Sequence, residues 1–117
     1  MNINFKYNDI PEATALATIV EQKFGQLEKF LSHATTVTCE AEFEKVAPQQ
    51  NGQVHRFEAN LHVDGTLYRA AATEESFEKA IDEVRNELDK EIRRTQKKRG
   101  DLARRAGRAL KELIWRQ

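Results

Sequence analysis

Phe57-Glu-Ala-Asn-Leu-His-Val-Asp-Gly-Thr-Leu-Tyr-Arg-Ala-Ala-Ala72 holds two alternating runs on either side of Asp64-Gly65. A two-residue Asp-Gly link between such runs favours a type I′ turn, because both central positions take positive φ and the turn's twist matches that of the strands. The turn predicts a register: Val63 opposite Thr66, Leu61 opposite Tyr68, Ala59 opposite Ala70 and Phe57 opposite Ala72. Side chains alternate along a strand, so this register puts Phe57, Ala59, Leu61, Val63, Tyr68, Ala70 and Ala72 on one buried face. Arg56, Glu58, Asn60 and His62 are left on the other, with His55 near the strand's start.

Downstream, Thr73 is expected to cap a helix from about Glu74 to about Arg99, roughly 39 Å long, with Glu74 and Glu75 in its first turn. At 100° per residue, Phe77, Ile81, Val84, Leu88 and Ile92 fall within about 40° of one direction, and Lys90, Arg93, Arg94 and Lys97 cluster about the opposite one. Packing over a sheet uses only the first half of such a helix, so the run Lys90 to Arg99 is expected to project past the sheet edge. Gly100 is expected to stop the helix. Asp101 is then a cap for a second helix reaching Trp115, with Leu102, Ala106, Leu110 and Leu113 on one stripe and Arg104, Arg105, Arg108 and Lys111 lining the rest. Trp115 reads as a packing or dimer contact before a base-stacking platform.

Upstream, Ile3, Phe5 and Tyr7 alternate with Asn2, Asn4 and Lys6, a first strand. Asn8-Asp9-Ile10-Pro11 reads as a helix start capped by Asp9 or Asn8. Ala13, Leu16, Val20, Phe24, Leu27 and Leu31 form one helical stripe to about Leu31, interrupted by Gly25 at about 1 kcal/mol relative to Ala. Val37, Cys39, Ala41 and Phe43 make the inner face of a further strand whose outer face carries Glu40, Glu42 and Glu44. Residues 47–53 form a loop. The order strand, helix, three strands, helix predicts an α+β domain: β-α-β-β-β-α, two helices on one face of a four-stranded sheet, over residues 1–99, with a basic helical tail at 100–117.

The 117 residues suit one domain, and the formal net charge of zero hides a separation. Residues 1–89 carry 8 Lys+Arg and 16 Asp+Glu, a net −8, whereas residues 90–117 carry 11 and 3, a net +8. Helix-dipole compensation asks for one or two cations, so the surplus points to a polyanionic partner. The apolar runs are too short to span a membrane and the first residues lack the layout of a signal peptide, so the chain is expected in the cytosol. The lone Cys39 agrees with a reducing compartment and is expected in the core.

Catalytic patterns are missing. There is no nucleophile beside a base, no glycine-rich phosphate loop and no carboxylate pair in an evident pocket, so neither an enzyme nor a small-molecule substrate or cofactor is expected. His33, His55 and His62 lie in unrelated places, and no metal site is expected of them. The nucleic-acid reading rests on the one-faced basic helix, with Lys90, Arg93, Arg94, Lys97, Lys98 and Arg99 as RNA contacts and Lys29, Arg85, Arg104, Arg105 and Arg108 as secondary candidates. Two other classes fit less well. A general double-stranded RNA-binding module puts its basic cluster at the start of its last helix, which here is Thr73-Glu-Glu-Ser-Phe-Glu78. A protein-binding module with a basic tail would be told apart by competition of RNA against an acidic protein.

Together the element order, Leu27-Glu28-Lys29-Phe30, Asp64-Gly65, Ala80-Ile81-Asp82, Leu88-Asp89-Lys90 and the Arg93-to-Arg99 run resemble the ribosome hibernation promoting factor and ribosome-associated inhibitor family, over about residues 1–99. The resemblance implies a translation inhibitor that binds the small ribosomal subunit and its rRNA through the basic second helix, occupying the mRNA channel and tRNA sites and silencing idle ribosomes in stress or stationary phase. The chain departs from the family pattern in Glu87, where a basic residue is frequent, and in its Arg-rich end.

Overall fold

The computed structural model describes residues 1–47 and 52–115; most of the loop expected at 47–53 lies outside them. The hairpin forms in the expected register. β1 (Asn2–Tyr7), β2 (Val37–Lys45), β3 (His55–Val63) and β4 (Thr66–Glu74) make one sheet in the order β1-β2-β3-β4. Val63 pairs with Thr66, Leu61 with Tyr68, Ala59 with Ala70 and Phe57 with Ala72. Asp64 and Gly65 take φ of 47° and 86°, the type I′ signature.

Asp64 does more than turn the chain. Its carboxylate accepts hydrogen bonds from the backbone N–H groups of Thr35, at 3.0 Å, and Thr36, at 2.7 Å, and its own N–H donates to the Thr36 carbonyl. These bonds from Thr36 and Thr35 hold its carboxyl below the usual carboxylate range. They tie the hairpin to the segment entering β2, which pairs antiparallel with β3 and parallel with β1.

α1 (Ala13–Gly25) and α2 (Phe77–Trp115) lie on one face of the sheet, α2 over β3 and β4 and α1 beside it toward β1. Buried between them are Leu16, Val20 and Phe24 of α1, Phe43, Phe57 and Leu61 of the sheet, and Ile81, Val84, Leu88 and Ile92 of α2. Phe43 joins the layers, with ring centroids 5.0 Å from Phe57 and 5.5 Å, edge to face, from Phe77. Cys39 is fully buried, and burial, reinforced by the charge of Glu40, pushes its thiol up to about 12. At neutral pH it is an inert core thiol.

Four expected boundaries move. α1 starts at Ala13, behind an uncapped Glu12, and Asp9 takes φ 53° without capping. It ends at Gly25 rather than Leu31: the N–H groups of Gln26 and Leu27 switch to carbonyls three residues back, and Glu28–Phe30 is a 3₁₀ turn. The glycine and the tighter turn end the α-helix while Leu27 and Leu31 stay buried. Thr73 and Glu74 belong to β4, paired with Arg56 and His55, and Ser76 caps α2 by accepting from the Lys79 N–H at 3.2 Å.

Gly100 does not stop α2, which runs unbroken for 39 residues, roughly 58 Å. Nothing crowds Gly100 and its φ is helical, while the strong helix formers around it offset the glycine's cost. Asp101, expected as a cap, is instead paired with Arg104 one turn on, inside the helix. From Leu102 to Trp115 every residue is exposed, so a bare helical arm extends the molecule to 69 Å against cross-dimensions of 30 and 19 Å.

Candidate nucleic-acid interface

The face of α2 opposite the core changes sign once. Glu83 and Glu87 are exposed on it, and from Lys90 onward it is basic. Because the helix is continuous, the 100° rule carries through Gly100: Lys90, Arg93, Arg94, Lys97, Arg104, Arg105, Arg108 and Lys111 share one sector, interrupted by Asp101 and closed by Glu112. They form a stripe about 32 Å long. Read as two helices, these residues had no fixed relation; the unbroken backbone aligns them and brings Lys111 into the row.

Within the stripe the cations differ in freedom. Arg93 Nε lies 2.8 Å from Asp89 and an Arg94 amine 2.8 Å from Glu91. Such exposed pairs within a helix contribute about 0.3–0.5 kcal/mol each, little against the charge of a polyanion. Lys90, Lys97 and Lys98 have no ion pair among the described residues. Lys98 stands off to one flank of the row.

Arg99 sits on the inner flank, donating to Thr66 Oγ1 at 3.1 Å beside the hairpin turn. It shares an open cleft of about 330 Å³ with Lys29, Phe30, His33 and Gln96. Gln96 donates to the Phe30 carbonyl, fixing the 3₁₀ turn against α2, and the Lys29 amine stands 5.0 Å from the Phe30 ring centre. The fold thus brings Lys29 and Arg99 together although 70 residues separate them. His33, considered above only as a metal ligand, joins them, because the Asp64 carboxylate draws its loop to the hairpin. No local pattern around His33 announces this; the contact depends on the tertiary path.

Arg85 lies away from the stripe. It is half-buried and donates to Gln26 Oε1 at 2.7 Å, joining the two helices. On the far side of the molecule the outer sheet face is laced with ion pairs: Glu58 meets Arg69 at 2.8 Å and Arg56 at 3.1 Å, and Lys6 meets Glu42 at 3.7 Å. Partial burial raises the Glu58 carboxyl, but hydrogen bonds from Arg69 and Arg56 outweigh it and hold that group below its ordinary value. Among the described residues, no group of three or more His, Cys, Asp or Glu is placed to hold a metal ion, and no helix is long and apolar enough to cross a membrane.

Comparison with known proteins finds the same architecture. The chain is 29% identical over 92 residues to the ribosome hibernation promoting factor of Azotobacter vinelandii, covering 79% of each sequence. Its fold superposes on the N-terminal domain of Protein Y from Thermus thermophilus with a TM-score of 0.69 at 20% identity, over 81% of this chain and 99% of that one. A ribosomal subunit interface protein from Coxiella burnetii superposes with a TM-score of 0.63 at 14% identity, over 82% and 98%. The model of the sigma 54 modulation protein / S30EA ribosomal protein family matches residues 3–100, and the chain belongs to that family.

Proposed function

We propose that this protein is a ribosome-binding hibernation factor that silences translation by occupying the mRNA channel and tRNA sites of the small subunit, without catalysis. The observation that carries the reading is the single reversal of charge along the outer face of α2, from Glu83 and Glu87 to the row that starts at Lys90. Membership of the S30EA ribosomal protein family and likeness to a ribosome hibernation promoting factor support the ribosome as the partner of that row. In this reading Lys90, Arg93, Arg94, Lys97, Lys98 and Arg99 contact rRNA phosphates. Arg104, Arg105 and Arg108 extend the contact along the arm, Lys29 adds a flanking contact beside Arg99, and Arg85 serves mainly the fold.

A rigid helix suits this task. Cations at steps of three and four residues recur every 5 to 6 Å, close to the spacing of successive phosphates, and their ordering costs little because the backbone is already fixed. The acidic body supplies the opposite effect, keeping the rest of the surface from adhering to RNA. The core domain at 1–99 and the arm at 100–117 are then two parts of one interface with the ribosome as partner and the cytoplasm as its location. Competition tests the occupancy: rising concentrations of the protein should displace a labelled mRNA and its tRNA from isolated small subunits. Stable co-binding of protein, mRNA and tRNA on the same subunit contradicts it.

A further inference from the structure

The arm's other face is unused by any of this. Leu102, Leu110, Leu113 and Ile114 are 61–65% exposed, which is abnormal for four large aliphatic residues on 13 consecutive positions. At 100° per residue the half-cylinder of the arm in line with Leu88 and Ile92 contains no charge at all from Gly100 to Trp115. Such a face offers nothing to a phosphate. It also cannot fold onto its own domain, because α2 passes straight through Gly100.

We propose that this face pairs with the same face of a second copy of the chain, as an antiparallel two-helix contact. Three features select that occupant. First, the aliphatic row Ala103, Ala106, Leu110, Leu113 steps by three, four and three, the spacing of a two-helix seam. Second, the row is graded, small toward the body and large toward the tip. In an antiparallel pair centred near Arg108, Leu110 meets Ala106 of the second copy, Leu113 meets Ala103 and Ile114 meets Leu102. Large then faces small in the layers of Leu110 and Leu113, while Ile114 and Leu102 close the two ends of the seam on each other. A parallel pair sets alanine against alanine and leaves a gap near the body. Third, this centre sets the bare stretch of one arm against that of the other, with Leu102 of each opposite Ile114 of its partner copy.

The basic stripes lie on the outer sides of the pair, so pairing leaves them open, and the inference does not depend on the RNA reading. The contact buries on the order of 1,000 Å² in all, at the low end for specific association, so the dimer is reversible. Sedimentation equilibrium of the nuclease-treated full chain, from about 5 µM to about 500 µM, reads it. The average mass should climb from 13.5 kDa toward double that value. Raising salt should leave the transition in place or strengthen it, because it screens the like charges of the two arms.

The Leu110→Glu/Leu113→Glu chain, altered only at exposed positions, should stay at monomer mass throughout. Ala106→Leu should weaken pairing about tenfold by overfilling the layer with Leu110, although it adds apolar surface. Chains carrying Ala103→Cys and Leu113→Cys should cross-link to each other on oxidation, and neither to itself. Monomer mass at every concentration overturns the proposal, leaving the face for another protein. So does a dimer that the Glu variant retains, or one that Ala106→Leu tightens.

Discussion

Residues 77–92 and 93–115 of α2 are one helix with one periodicity and opposite surroundings. In the first part Ile81, Val84, Leu88 and Ile92 are no more than 1% exposed beneath the sheet. In the second the same stripe continues as Leu102, Leu110 and Leu113 in open water. Opposite that stripe, Glu83 and Glu87 give way to Lys90 and its successors. The sheet sets the boundary: it covers the helix to Ile92, and what lies beyond is free to carry charge for a partner instead of apolar mass for the core. A helix of marginal intrinsic stability can reach this far because its first half is nucleated by tertiary packing, after which each added residue only propagates it.

The sharpest way to separate the halves is to remove the same side chain from each. Leu88→Ala should lower unfolding stability by about 2–5 kcal/mol, as a fully buried leucine does, whereas Leu110→Ala at low concentration should change it by less than about 0.5 kcal/mol. Urea denaturation of the two variants measures both. Equal losses would mean that the arm packs on the body.

Gly100 stands near the junction, and its substitution probes how well the arm is joined. Gly100→Ala meets no atom within 4 Å, so it should raise hydrogen-exchange protection in residues 101–115 by about twofold to fivefold, from roughly 0.5–1 kcal/mol of added helix propensity, while the global midpoint barely moves. Loss of protection would show that the backbone there is not helical in solution.

The smallest effect belongs to Asp64, which fixes the loop holding His33 beside Arg99. Its folded-state pKa is depressed, so its contribution is present above the unfolded value of about 3.9 and is lost as pH falls through the lower folded value. An Asp64→Asn chain should therefore be less stable than wild type above about pH 4, the gap closing on further acidification. A gap that widens in acid would exclude the carboxylate as the tie.

The hairpin, the four strands and the core stripe were legible in the sequence because each is set by short-range periodicity and one turn. Gly100 misled because a glycine with open space around it can end a helix or sit inside one, and the residues on both sides, Arg99 and Asp101 to Ala103, tolerate a helix; the local signal was balanced. Thr73 misled because a cap needs the strand to have ended, and β4 pairing carried on two residues further, leaving Ser76 to cap. Of the candidate interface, the clustering of Lys90, Arg93, Arg94 and Lys97 on one helix face could be read from spacing alone. The cleft of Lys29, His33 and Arg99 could not, since it is assembled by Asp64 and Gln96 across long stretches of chain.

The central claim is that the outer face of α2 from Lys90 onward is what holds the protein to RNA. Co-sedimentation with isolated small ribosomal subunits across a salt series tests it most directly, comparing wild type with Arg93→Glu/Arg94→Glu/Lys97→Glu/Lys98→Glu, all exposed positions whose change spares the core. Wild type should pellet with the subunits at low salt, and its affinity should fall with a log–log slope of about −4 to −5, that of roughly six phosphate contacts, while the reversed variant stays in the supernatant. Equal binding of the two chains, or no binding of either at low salt, would contradict the account.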